Sequence, residues 1–345
     1  AIVEAGITLE ALQQELARHG QHVPLESPLP HLATVGGTLA ANTSGPGRLF
    51  YGPGRDWVIG IKVVNGDGTV TKAGGKVVKN VTGFDLNKLY IGSLGTLGVI
   101  VEVAFKLTPL PAHERTLVAR FPTLADALGA SQELLKQSFS PHAMQVLAGP
   151  ARERLGVDQV GEVTLAVLLT GLPAAVARKV DTVRKVIREH QGTRVDGLDR
   201  PEGQRLWQAI RDLGWTHSDR PYLSLRASVA PSQTGRLLAT LDSIPGLGWV
   251  PGLVADPGFG TLRLLWWGSG DPSIAGTYAV TLVRALRQQA RRLEGHVVVE
   301  QAPVEVKREI DVWGDHIEGL DVMRRIRGEL DPKGILNPGR FAGRI

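Results

Sequence analysis

The chain has 345 residues, 43% hydrophobic and 21% charged, with a net charge of +5 and no cysteine. That length suits two domains rather than one core. The lack of cysteine excludes disulfides, thiolate zinc sites, iron–sulfur clusters held by this chain and a cysteine-linked flavin. The positive charge is dispersed over ordinary helix faces such as Arg291-Arg292 and Arg324-Arg325, no recognition motif accompanies it, and no nucleic-acid partner is expected.

In chain order, Ala1–Ala5 reads as a strand, and Leu9, Leu12 and Leu16 recur at helical spacing until Gly20 stops the helix. A proline-punctuated stretch through Pro24, Pro28 and Pro30 follows. Trp57–Val64 reads as a strand, Asn65-Gly66-Asp67-Gly68 as a tight turn, and Thr69–Lys72 as the returning strand. Val99–Leu107 is a further buried strand closed by Pro109. From Arg115 to about Val195, and again from Tyr222 to about Glu300, the pattern is strand–helix–strand–strand–helix–strand. In the first copy Val176, Val180, Val183 and Ile187 share a helical face; in the second, a helix over Thr277–Leu293 carries Leu282 and Leu286 and is capped by Gly295. A helix over Glu202–Leu213 with Trp207 on one face connects the copies. Two such units are expected to form paired ferredoxin-like halves. The fold class is therefore α+β, with domains over 1–110 and 111–300 and a helical segment over 301–345 that returns to the first domain.

Three segments of the first region carry chemical potential. Ala33-Thr34-Val35-Gly36-Gly37-Thr38-Leu39-Ala40-Ala41-Asn42-Thr43-Ser44-Gly45 is a run of small residues whose bare amides could cradle phosphate and leave room for a flat ring. Gly74–Leu86 contains Lys79-Asn80-Val81-Thr82-Gly83-Phe84-Asp85-Leu86. Tyr90–Ile100 places Gly92, Gly95 and Gly98 just before a buried strand. Each alone is compatible with a structural turn. The spacing is not that of a nicotinamide dinucleotide fingerprint, and the last segment leads into a strand rather than a helix.

In this order the three segments resemble the FAD-binding fold shared by vanillyl-alcohol oxidase and p-cresol methylhydroxylase. The ending Leu330-Asp331-Pro332-Lys333-Gly334-Ile335-Leu336-Asn337-Pro338-Gly339-Arg340-Phe341 is similar to that of FAD-linked 2-hydroxy-acid oxidases. The resemblance implies that Thr34, Val35, Gly36 and Gly37 lie against the FAD pyrophosphate and isoalloxazine, with Asn42 and Gly45 on the same lining. It places Gly92, Gly98 and Val99 at the ADP half and Asn337 at the flavin edge. Catalytic members of the family carry metal- and substrate-binding H-x-G-D-G-N-x-H and E-H-G segments, and neither occurs here. His19 and His22 stand three apart without a further ligand, so no metal site is assigned, and the catalytic residues stay unassigned.

Gly295-His296, Val312-Trp313-Gly314 and Asn337–Phe341 are instead similar to the FAD-binding subunit of glycolate oxidase that accompanies the catalytic one. That implies oxidation of glycolate to glyoxylate, with electrons passed to a catalytic flavoprotein subunit and an iron–sulfur subunit of one complex. It also implies a cytoplasmic location, either free or at the inner face of the membrane through peripheral association of the complex. The rival readings are a free-standing FAD dehydrogenase of another 2-hydroxy acid, with Arg205, Arg211, His217 and Arg226 as candidate substrate contacts, and a scaffold without catalysis. A glycine- and serine-rich pyrophosphate loop that precedes this region in the family is not in the sequence. A truncated or processed start, lacking the first FAD subdomain, and weak or absent FAD binding by the chain are therefore expected.

Overall fold

The structure, a computed structural model, describes residues 1–75, 85–157, 163–241, 250–268 and 272–345. The chain divides into two units, Ala1–Leu110 with His316–Ile345, and Pro111–Asp315.

The first unit runs β1 (Ile2–Glu4), α1 (Leu9–Ala17), β2 (Gln21–His22), α2 (Val35–Ala41), α3 (Arg48–Tyr51), β3 (Val58–Val64), β4 (Val70–Gly74), α4 (Asn87–Tyr90), β5 (Val99–Phe105) and β6 (Thr108–Pro109). Its antiparallel sheet has the order β1-β5-β3-β4, and β2 pairs separately with β6. Helix α1 starts where the Thr8 hydroxyl accepts the Ala11 amide at 3.3 Å, and it buries Leu9, Leu12 and Leu16. These side chains join Val35, Leu39, Val103 and Phe105 in one apolar cluster, so α1 and α2 cover the same face of the sheet. The β3–β4 hairpin closes as the sequence predicts: Asn65 donates to Thr69 O at 2.9 Å, and Gly68 takes φ +87°.

The second unit runs β7 (His113–Phe121), α5 (Leu124–Leu135), β8 (Ala143–Ala148), α6 (Pro150–Arg154), β9 (Val163–Gly171), α7 (Pro173–Glu189), β10 (Arg194–Leu198), α8 (Arg200–Asp212), β11 (Leu223–Ser228), α9 (Thr234–Ala239), β12 (Gly252–Asp256), β13 (Thr261–Trp266), α10 (Pro272–Arg292), β14 (His296–Gln301) and α11 (Val304–Glu309). All pairings in its eight-stranded sheet, order β10-β7-β9-β8-β12-β13-β11-β14, are antiparallel. Numbered within each repeat, the strands run 4-1-3-2 and then 2-3-1-4. The two halves are therefore ferredoxin-like and join edge to edge at β8 and β12. Helices α5, α7 and α10 pack on strands of the sheet. On the face that carries Val118, Leu147, Val254 and Leu265, α8 inserts Leu206 and Ile210 and α6 inserts Ala151. Helix α8 begins with a complete capping box, Asp199 to the Glu202 amide and Glu202 back to Asp199, which fixes its start.

Residues 301–315, grouped with the tail in the sequence reading, pack within the second unit. Val299 donates to Val312 O at 2.9 Å, and the buried Arg287 guanidinium donates to the carbonyls of Asp311 at 2.6 Å and Val312 at 3.1 Å. The tail from His316 on belongs to the first unit. Its helix α12 (Leu320–Leu330) ends at the buried Asp331, whose carboxylate accepts the Ile335 and Leu336 amides at 3.1 and 2.9 Å. The Gly66 amide donates to Leu330 O at 3.2 Å, tying the tail to the β3–β4 turn. No helix among the described residues is long and apolar enough to cross a membrane.

Candidate functional site

The small-residue run folds into α2, and this changes what its glycines do. Thr34 is the N-cap, its hydroxyl accepting the Gly37 amide at 3.2 Å. Val35 is fully buried in the core, and its amide donates to Ile7 O at 2.9 Å. The Gly36 amide donates to Ala5 O at 2.8 Å, and a Cβ there would stand 2.9 Å from Ala5 Cβ. The helix start thus spends its amides on the turn that follows β1 and on its own N-cap, and Gly36 lets the helix pack closely on Ala5 and β5. The amides of Val35, Gly36 and Gly37 are therefore not bare, because the turn after β1 and the Thr34 cap accept them. Gly45 meets the same limit differently: it lies against the Glu26 side chain, and that carboxylate accepts the Gly47 amide at 2.8 Å. A phosphate placed there would face a like charge.

At the other end of α2 the predicted segments converge. Asn42 is the C-cap, left-handed at φ 50° and exposed. The Leu39 and Ala40 carbonyls accept the amides of Gly92 at 3.0 Å and Leu94 at 2.8 Å, so the third segment closes the helix. A Cβ at Gly92 would lie 3.3 Å from Asn42 Cβ, and one at Gly95 would lie 2.9 Å from Asn337 Nδ2. From the tail, Asn337, at φ 41°, donates its side-chain amide to Leu94 O at 2.6 Å. Thr34, Val35 and Gly36 lie one helix length away, Gly98 is packed under Val63 and Tyr90, and Val99 begins β5 with its side chain 53% exposed. The run from Lys76 to Phe84, which includes Asn80, lies outside the described residues.

The junction offers neutral donors and acceptors in a glycine-lined setting: the Asn42 side chain and the Ser44 and Gly45 amides have no hydrogen-bond partner among the described residues. That donor set fits the carbonyl and imide edge of a flavin ring better than a diphosphate. Beside the junction, Leu89, Ile91, Leu97, Met323, Ile326 and Phe341 line an apolar pocket of about 210 Å³. It is smaller than the roughly 300 Å³ at which small-molecule sites begin, so it does not hold an FAD.

The second unit carries a cluster that the sequence reading weighed too lightly. Arg226 on β11 stands opposite Arg263 on β13, both on the face covered elsewhere by α8. Glu300, displaced by an irregularity in β14, takes Arg226 Nε at 2.9 Å on one oxygen, and approaches Ser224 Oγ at 3.4 Å and Arg263 Nε at 3.5 Å with the other. Burial pulls the Arg263 guanidinium below its ordinary value, and Glu300 offsets that. Arg263 also donates to Leu213 O at 3.1 Å and lies 5.5 Å from the centre of the Trp215 ring. Of the four candidate contacts, Arg226 belongs to this cluster, Arg211 is paired with Asp212 at 2.9 Å, and Arg205 and His217 are exposed. The signal in the sequence was one charged residue inside each of three apolar strands, Leu223–Ser228, Thr261–Trp266 and His296–Gln301. Only the register shows that the three meet. No group of acidic and histidine side chains among the described residues could hold a metal ion.

Residues 1–74 match the FAD binding domain, and residues 110–243 with 314–341 match the C-terminal domain of FAD linked oxidases. The chain carries both domains of the FAD-linked oxidases. FAD is the cofactor of that family, and the two segments of the second match fall on the second unit and, from His316 on, on the tail that belongs to the first. Among relatives, the mitochondrial D-lactate dehydrogenase [cytochrome] of Arabidopsis thaliana is 28% identical over 99% of this chain and 61% of its own length. Glycolate oxidase subunit GlcD of Bacillus subtilis is 24% identical over 99% of this chain and 75% of its own. A solved structure of alkyldihydroxyacetonephosphate synthase superposes with a TM-score of 0.68 at 16% identity, over 98% of this chain and 63% of that one, which shows the shared fold. The chain thus spans about three-fifths of the length of the first of these FAD-linked oxidases.

Proposed function

We propose that this FAD-linked oxidase is the FAD-binding subunit of a complex that oxidises glycolate to glyoxylate. The reading is carried by the convergence of Gly92, Asn42 and Asn337 at the carbonyl end of α2, in a chain whose two matched domains belong to the FAD-linked oxidases. Its similarity to a glycolate oxidase subunit supports the substrate. Its lack of cysteine supports a division of labour, with iron–sulfur clusters on a separate subunit and a further flavoprotein subunit as the other partner.

In this reading the flavin edge lies along Asn42, Ser44, Gly45, Gly92 and Asn337. The cofactor, when bound, accepts the hydride equivalent from the alcohol carbon, and the protein supplies orientation and electrostatics. The lack of a side chain at Gly92 and Gly95 lets Asn42 and Asn337 come close, and Asn337 clamps the Leu94 carbonyl so that the loop holds its shape. The donors at the junction are neutral, so they orient a ring by hydrogen bonds without adding charge to it.

A second reading, a free-standing dehydrogenase acting on D-lactate, is favoured by the similarity to D-lactate dehydrogenase. Co-purification of the intact subunit with its partners separates the two. The glycolate reading expects bound flavin, flavin bleaching by glycolate, and sustained turnover only with partners present. Sustained turnover of D-lactate by the subunit alone would favour the second reading, and a subunit that stays flavin-free in excess FAD would remove both.

A further inference from the structure

The Arg226–Glu300–Arg263 cluster is more than a structural ion-pair network, because one of its forks is left over. Glu300 engages Arg226 through Nε alone, and among the described residues Nη1 and Nη2 of Arg226 have no hydrogen-bond partner. The Arg226 side chain is 38% exposed, whereas those of Glu300 and Arg263 are 16% exposed. The buried part of the cluster therefore holds the exposed part in place. Two guanidiniums and one carboxylate leave one positive charge.

The surroundings shape a small site on the same sheet face. Opposite Ser228 and two residues along β14 from the position facing Arg226 stands His296. Desolvation first and the Arg226 charge second hold its imidazole below the ordinary range, so it is neutral near pH 7 and can accept a hydrogen bond. On the Arg263 side, the loop from Leu213 to Arg220 rises over the strands. It is pinned by Arg263 to Leu213 O, by Gln301 Nε2 to Gly214 O at 3.1 Å and by Arg220 Nε to Gln301 Oε1 at 3.2 Å, and it presents Trp215. A planar guanidinium edge recognises a carboxylate in two-point fashion.

We propose that the free fork of Arg226, fixed by Glu300 and flanked by His296 and Trp215, binds the carboxylate of a small 2-hydroxymonocarboxylate, with His296 accepting from its hydroxyl. This rests on the reading of the protein as acting on a 2-hydroxy acid and narrows it: the one charge that the cluster leaves uncompensated suits one carboxylate.

The test uses the flavin-free full chain, so turnover plays no part. Glycolate, D-lactate, acetate, malate and sulfate are titrated by calorimetry and by NMR of the Arg226 Nε and His296 ring signals. Glycolate and D-lactate are expected to shift both signals, acetate to bind more weakly for want of the hydroxyl, and malate and sulfate more weakly than glycolate. Arg226→Gln is expected to weaken glycolate binding about tenfold or more, and Arg226→Lys, which keeps the charge without the fork, by less. Wild-type protein whose Arg226 and His296 signals do not move with glycolate overturns the proposal whether or not the variants fold. Tighter binding of malate than glycolate, or undiminished binding by a normally melting Arg226→Gln, overturns it too. If glycolate bleaches the flavin of the Arg226→Gln complex like that of wild type, the acid sits elsewhere and the oxidase reading survives. If glycolate binds wild type but not Arg226→Gln, and no 2-hydroxy acid bleaches the flavin, the site survives and the oxidase reading falls.

Discussion

In the first unit the candidate contacts are made by main-chain geometry, at the end of one helix, in a glycine loop and at a turn in the tail. In the second they are made by long side chains, set side by side by the register of three strands. A site made of backbone needs residues that keep out of the way, and those residues are visible in the sequence as Gly92, Gly95 and the Asn337 turn. A site made of side chains needs charges brought together over 74 residues of chain, from Arg226 to Glu300, and nothing local announces it.

The comparison can be broken first at the backbone. A Cβ at Gly98 would overlap Val63 Cγ1 and come within 3.2 Å of Val64 O, in a region with no room to yield. Gly98→Val is expected to cost about 3 kcal/mol by overpacking, read as a lower denaturant midpoint with an unchanged slope. The same substitution at Gly6, where a Cβ meets nothing within 4 Å, should be nearly silent, and equal losses at the two would refute the packing role.

The second unit is sharpened by removing the shared carboxylate. Glu300→Leu leaves the Arg263 guanidinium with little compensation and is expected to cost roughly 2 to 3 kcal/mol in thermal or chemical unfolding. A neutral outcome would mean that the arginines find water or other acceptors, and that Glu300 does not organise them.

Asn337→Ala has a smaller effect on stability, about 1 kcal/mol, from the lost bond to Leu94 O and the left-handed backbone that alanine tolerates poorly. Asn337→Gly keeps the backbone and loses only the bond, so the difference between the two variants separates conformation from contact.

The fold was legible where periodicity and punctuation are local. The αβ repeats, the Asn65–Gly68 turn and the α1 face at Leu9, Leu12 and Leu16 follow from residues within a few positions of one another. The convergence of α2, the Gly92–Gly95 loop and the tail was readable only by resemblance, because the bond from Asn337 to Leu94 spans 243 residues. Val35, Gly36 and Gly37 look like bare amides in sequence, but the turn after β1 and the Thr34 cap accept them. Arg263 was not singled out, and Glu300 stood only at the end of the Gly295–Glu300 segment, because a charge inside an apolar strand has meaning only once its neighbour across the sheet is known.

The smallest effect concerns pH. His296 has its imidazole held below the ordinary 6.5 in the folded state, so the folded chain binds fewer protons than the unfolded one as the pH falls through that value. Stability contributed by the neutral ring is present above the unfolded value and declines on acidification below it. His296→Asn is expected to flatten the stability profile between pH 7 and 5, checked by melts across that window, with melting at pH 7 little changed.

The central claim is that the first unit's helix-end junction holds a flavin which a 2-hydroxy acid reduces. The measurement that reaches it most directly is anaerobic addition of glycolate to the FAD-loaded intact subunit within its complex, followed by flavin absorbance, for wild type and for Gly92→Val. The account predicts bleaching of the wild type and loss of bound flavin in Gly92→Val while the chain still folds. Full flavin occupancy and unaltered bleaching in that variant would contradict it.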